Sequence, residues 1–106
     1  MTKIKTSELQ GAALDWAVAR ACNYEFNDHW FKPSTNWNQG GPLILQYGAS
    51  LDRESCDDWG SVILVDRGDG IPSWGVMIGP TPLIAACRAI VAAKLGDEVD
   101  VPEELA

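Results

Sequence analysis

Apolar positions along this chain fall into two helical patterns with short β-like runs between them. Leu9, Ala12, Ala13, Trp16 and Ala17 recur at helical spacing. Ser7-Glu8-Leu9-Gln10 has the form of a capping box and predicts that this first helix starts there and ends near Asn23. Leu14, Val18 and Ala21 widen the apolar surface, while Glu8, Gly11 and Asp15 form a narrow polar strip. The second pattern runs from Leu83 to Leu95 and has both ends marked. Thr81 supplies an N-cap hydroxyl, Pro82 suits the first helical position, and Gly96 suits the residue past the end.

Three apolar runs read as strands: Leu43–Tyr47, Val62–Val65 and Trp74–Ile78. The last two predict an antiparallel hairpin across the loop-like Asp66–Pro72, and Val62–Val65 should be central or buried on both faces. Lys3–Lys5 is a candidate lead-in strand. Residues 23–42 have no clean period and read as a long loop rich in aromatic residues, with Trp30 and Trp37 among them. The expected fold is α+β in one domain, residues 1–106. Two main helices pack on a small, mainly antiparallel sheet of three or four strands.

Charge changes the picture at one end. The chain carries 15 acids and 8 bases, net −7. Asp97, Glu98, Asp100, Glu103 and Glu104 lie in residues 97–106, leaving ten acids against eight bases elsewhere. That tail is expected to be loosely held, with Val99, Val101 and Leu105 available to pack back. The acidic balance disfavours nonspecific binding to nucleic acid or membrane. No apolar run is long enough to span a bilayer, and Met1–Ser7 lacks the apolar core of a signal peptide, so a cytoplasmic protein is expected. Self-association is left open.

Candidate chemistry is sparse. Cys22, Cys56 and Cys87 form no C-x-x-C pair, which argues for reduced, mostly buried thiols with neither a disulfide framework nor zinc. Asp66-Arg67-Gly68-Asp69-Gly70 lacks the spacing of a calcium loop, and Asp57-Asp58 reads as a solvated face. No metal or cofactor is therefore expected. His29 beside Asp28 is the one acid–base pair suggesting a hydrolase, and no nucleophile accompanies it. No catalytic residue is assigned.

Binding is the stronger expectation. Four of the five tryptophans, Trp30, Trp37, Trp59 and Trp74, lie in or beside loops, where rings can stack on a flat ligand. The start of the last helix offers free N–H groups to an anion, with Gly79 and Thr81 beside it. Arg53, Arg67 or Arg88 could neutralise a phosphate. The candidate ligand-binding set is Asn36, Trp37, Gly40, Gly41, Arg67, Trp74, Gly79, Thr81 and Arg88. The alternative is that Thr81 only caps its helix and that Arg88 pairs with a carboxylate.

Three stretches carry a resemblance: Pro33-Ser34-Thr35-Asn36-Trp37-Asn38-Gln39-Gly40-Gly41-Pro42, Gly79-Pro80-Thr81-Pro82-Leu83-Ile84-Ala85-Ala86-Cys87-Arg88, and Ala93-Lys94-Leu95-Gly96-Asp97-Glu98-Val99. With the Ser7–Ala21 helix they cover most of the chain, which resembles the NinX-like family of small phage and prophage proteins. The resemblance implies a phage accessory protein and brings no activity or catalytic residue with it. The leading expectation is non-enzymatic binding of a small anionic, nucleotide-like ligand, by which a phage would sequester a host defence signal. The second is a module that binds a host protein through the aromatic loop or the acidic tail.

Overall fold

A computed structural model describes residues 1–27, 29–66 and 72–106. The order is β1 (Thr2–Lys5), a 3-10 turn (Thr6–Glu8), α1 (Gly11–Ala21), α2 (Trp37–Tyr47), β2 (Asp52–Arg53), β3 (Trp59–Asp66), β4 (Pro72–Gly79), α3 (Pro82–Leu95) and β5 (Glu98–Val101). The class is α+β as expected. Among the described residues there are three helices where two main ones are expected, and the strands divide into two antiparallel sheets, β2-β3-β4 and β1-β5.

Everything is arranged around α3. From Ala85 to Ala93 every residue is buried, because the helix rests on β3 and β4 while α1 and α2 pack against it. Its ends are those read from the sequence: Oγ1 of Thr81 accepts from the N–H of Ile84 at 3.1 Å, Pro82 opens the helix, and Gly96 follows it with φ 96°. The contact with β4 is unusually close. A Cβ placed on Gly75 would lie 2.0 Å from the carbonyl oxygen of Ala89 and 3.0 Å from the Cβ of Ala93. Glycine in the strand and alanine in the helix let the two backbones approach.

The β3–β4 hairpin forms as expected, with Val62 opposite Val76 and Leu64 opposite Trp74. The interior of the Asp66–Pro72 segment lies outside the described residues, and its two end residues belong to the strands. β3 is central in its sheet, but only one of its faces is covered: Ile63 is buried and Leu64 exposed.

Four expectations are corrected. Leu43–Tyr47 is the second half of α2, not a strand. An apolar run of five residues does not distinguish the two, and what decides is capping beyond the run. Asn36 accepts from the N–H of Asn38 at one end, and Gly48 adopts φ 62° at the other. The 23–42 loop therefore stops at Asn36. Secondly, Ser7 caps nothing. A 3-10 turn intervenes, and α1 begins at Gly11, whose φ of 59° makes the bend. Thirdly, Asp15 of the polar strip is buried, while in the apolar pattern Trp16 is half-buried against the core and Ala12 is exposed.

The fourth correction concerns the acidic end. It is not loose: β5 pairs with β1, and Val99 and Val101 are buried. Lys3 faces Asp100 and Lys5 faces Glu98 across the ladder, so acids concentrated in the tail meet the lysines of the first strand. The N–H of Thr6 donates to the carbonyl of Asp97 at 2.7 Å, and its hydroxyl donates to that of Gly96 at 2.7 Å.

Candidate functional site

The β4–α3 junction gathers Gly79, Thr81 and Arg88. A Cβ on Gly79 would come within 2.8 Å of the Ala85 nitrogen, so this glycine serves the approach of strand to helix. Thr81 caps α3. Arg88 is 8% exposed and turned inward: Nε donates to the carbonyl of Leu9 at 2.8 Å and Nη1 to that of Ile78 at 2.9 Å. Burial lowers its pKa from the ordinary arginine value. The guanidinium ties the segment before α1 to the end of β4 and to α3. Its partners are the two carbonyls, and not the carboxylate of the alternative reading.

The Pro33–Pro42 stretch meets that junction through a glycine. A Cβ on Gly40 would lie 2.4 Å from the carbonyl oxygen of Pro33 and 2.6 Å from Cδ2 of Leu83, in the first turn of α3. The two motifs are therefore in contact, and the contact is packing. Asn36 caps α2. Gln39 holds the chain before it, accepting from the N–H of Lys32 and donating to the carbonyl of Trp30. Trp37, 54% exposed, stands at the start of α2, with Gly41 one turn on, where a Cβ would be 3.8 Å from the Trp37 ring.

Trp74 lies elsewhere. In an antiparallel ladder, directly opposed residues share a face. The register therefore puts Val62, Leu64, Trp74, Val76 and Ile78 on one side, and Ile63, Gly75, Met77 and Gly79 on the side toward α3. Leu64 is 48% exposed, Trp74 63%, Val76 62% and Ile78 53%. Four large apolar side chains thus stand on an uncovered sheet face.

The edge of that sheet is defined by the same register. Val62 receives a bond from the Ser50 N–H at 3.0 Å and gives one to the Ser50 hydroxyl at 3.0 Å. Its peptide groups therefore point away from β4, and those of Val76 opposite it point outward from the sheet. Trp74 and Ile78 share the parity of Val76, and Arg88 reaches the Ile78 carbonyl on that side. The strand that presents Trp74, Val76 and Ile78 is thus an edge strand with no charged residue from Pro72 to Gly79.

The other candidates do not join these two places. Arg67 and Asp28 lie outside the described residues. Arg53 is in β2, over the ring of Trp59 at 5.9 Å. The backbone N–H of His29 donates to the side chain of Asn27 at 2.9 Å, and His29 lines a hollow of about 420 Å³ with Trp16, Phe26 and Leu105. No group of three or more metal-ligating side chains forms among the described residues, and none of their helices is long and apolar enough to cross a membrane. Of the cysteines, Cys87 is buried, Cys22 intermediate and Cys56 exposed, so burial holds less widely than expected.

Asp15 is the buried titratable group that the sequence placed on a polar strip. Its carboxylate accepts from the N–H of Ser34 at 2.9 Å and so fixes the Pro33–Pro42 stretch to α1. Burial raises its pKa, with Ser34 and the charge of Lys32 pulling the other way. A carboxyl whose folded pKa lies above its unfolded value favours the native state fully at low pH and loses that contribution as pH rises through the folded pKa. Asp15→Asn keeps an oxygen acceptor for Ser34 and removes the ionisation. Chemical denaturation should find this variant as stable as the parent or more so at pH 7, with the difference shrinking toward pH 4. Asp15→Ala should lose about 1–3 kcal/mol by leaving a buried N–H unpaired.

Leu64, Val76 and Ile78 were not singled out from the sequence as surface residues. A signal was present: β4 carries glycine at 75 and 79 and bulk at 74, 76 and 78. When the small residues of a strand face a helix, its large ones face away. The family model described as "Bacteriophage P22, NinX" matches residues 23–94, which include the whole of α2, the three-stranded sheet and nearly all of α3. No curated protein matches the chain.

Proposed function

We propose, on the premise that this chain belongs to the bacteriophage P22 NinX family, that it is a phage accessory protein acting by non-catalytic binding of a protein partner on its open sheet face. The observation that carries this reading is the side-by-side exposure of Leu64, Trp74, Val76 and Ile78. Contiguous apolar patches of several hundred Å² are characteristic of interaction sites on soluble domains. The uncharged edge of β4 adds main-chain donors and acceptors beside the patch, the arrangement used when a partner strand extends a sheet.

This reading is favoured over capture of a nucleotide between the Asn36–Pro42 stretch and the start of α3. Arg88 is spent on two carbonyls, Gly40 and Gly79 are filled by neighbouring atoms, and Trp74 faces away from α3.

A photo-reactive residue placed at Val76 or, as a control, at Leu45 tests the proposal in infected host cells. Leu45 is 85% exposed on α2, so both sites are open to solvent. The expected result is a discrete heavier adduct from Val76 and none from Leu45. No adduct at Val76, equal adducts at both sites, or an adduct only with a second copy of the chain would overturn it.

A further inference from the structure

Between α1 and α2 the chain builds a second recess that shares no residue with the sheet face. Phe31 is buried, 6% exposed, and two other rings stand against it nearly at right angles. Tyr24 lies at 5.9 Å and 86°, and Trp30 at 6.0 Å and 85°. Tyr24 and Trp30 remain 45% and 59% exposed. With Pro42 and Leu43 of α2 they line a cleft of about 320 Å³.

The backbone of this cleft is held on both sides. The N–H of Tyr24 donates to the carbonyl of Ala19 at 2.8 Å, which fastens it to α1. The N–H of Phe31 donates to the carbonyl of Asn27 at 2.9 Å. Gln39 of α2 holds the carbonyl of Trp30 and the N–H of Lys32. A cleft whose walls are tied down in this way is largely pre-formed, as small-molecule sites are.

Its chemistry selects the ligand. Among the described residues lining it, Glu25 is the one that carries a charge. An anion would meet that carboxylate, and among the described residues lining the cleft no cation answers it. A neutral apolar molecule would gain from burial and leave the carboxylate unused. An organic cation gains from the rings, whose π faces attract positive charge, and from Glu25 as well. The net charge of −7 raises the local concentration of cations. We propose that the Tyr24–Trp30–Phe31 cleft is a binding site for a small organic cation of the alkylammonium class.

Choline and its uncharged isostere 3,3-dimethyl-1-butanol provide the test, each titrated into the full chain and followed by 1H–15N NMR. The indole N–H of Trp30 is assigned by its disappearance in Trp30→Ala. Choline should shift that signal saturably, and the isostere should bind about 5-fold more weakly. Trp30→Ala should abolish the saturable shifts around Phe31. Glu25→Gln, a change at an exposed position, should weaken choline about 3-fold and leave the isostere unchanged. Equal affinity for the two compounds, no saturable shift with choline up to tens of millimolar, or shifts around Phe31 retained in Trp30→Ala would overturn the proposal. If Trp30→Ala fails to fold, Glu25→Gln decides: unchanged choline affinity overturns the site.

Discussion

Gly75→Ala is expected to destabilise the protein by about 3 kcal/mol or more, the upper range for overpacking a core. The added methyl would sit 2.0 Å from the carbonyl oxygen of Ala89 and 2.9 Å from its carbonyl carbon. Both atoms belong to the backbone of the most buried helix, so no side-chain rotation relieves the clash. Either α3 lifts from the sheet or β4 bends outward, and both movements open the contact that buries Ile63, Ala89 and Ala93. Urea denaturation measures the loss as a lower midpoint. A Gly75→Ala protein as stable as the parent would mean that α3 and β4 are farther apart than described.

Removing residues 98–106 is the second large effect expected. By composition this segment is an acidic tail that could be dispensed with. In the fold it supplies β5, the strand that pairs with β1. Val99 and Val101 are 6% and 0% exposed, and burying each stabilises by roughly 1.5–3 kcal/mol. The opposed pairs Lys3–Asp100 and Lys5–Glu98 contribute a smaller electrostatic share. Together these are comparable to the lower end of the stability of a typical small domain, roughly 5–15 kcal/mol. The truncated chain should lose its cooperative thermal transition, read by circular dichroism. A shorter deletion, 103–106, removes the Met1–Glu103 ion pair of 3.8 Å and the half-buried Leu105, which packs against the core, but leaves β5 whole, so it should cost clearly less. Loss of a partner on deleting the whole tail would therefore report unfolding before it reported a binding role.

How far the sequence discloses this fold depends on where the deciding interactions lie. The bounds of α3 are legible because Thr81, Pro82 and Gly96 act on their own neighbours. The β3–β4 hairpin is legible because two apolar runs are separated by a polar, glycine-rich segment. α2 is misread because Leu43–Tyr47 fits either period, and the residues that settle it, Asn36 and Gly48, lie outside the run. β5 is hidden because Val99 and Val101 alternate with acids in a segment that composition marks as solvated. Their partner strand is about a hundred residues away in the chain.

The candidate site is less legible than the fold, for a related reason. Gly79, Thr81 and Arg88 have the residue types of an anion site, but where Arg88 turns is set by the carbonyls of Leu9 and Ile78, and no local pattern encodes that. Gly40 and Gly79 could equally admit a ligand or a neighbouring backbone, and only the fold shows that Pro33, Leu83 and Ala85 occupy those places. In the sequence Trp74 groups with Trp37 because both are tryptophans in or beside loops. Strand parity, counted from the ladder with β3, puts Trp74 on the side away from α3. Val62–Val65 is apolar on both faces, so its sequence conceals which face is open. The first two motifs that carry the family resemblance thus build the packing of α2 and β4 on α3, and the exposed apolar face lies on the opposite side of the sheet.

That division of labour is tested most directly by comparing two surface variants of matched stability, Val76→Lys and Trp37→Ala, in quantitative co-purification from infected host cells. Both side chains are more than half exposed, at 62% and 54%, so neither change disturbs the core. A protein recovered stoichiometrically with the parent chain should be lost with Val76→Lys and retained with Trp37→Ala. Retention with Val76→Lys and loss with Trp37→Ala would contradict it and return the binding site to the start of α2.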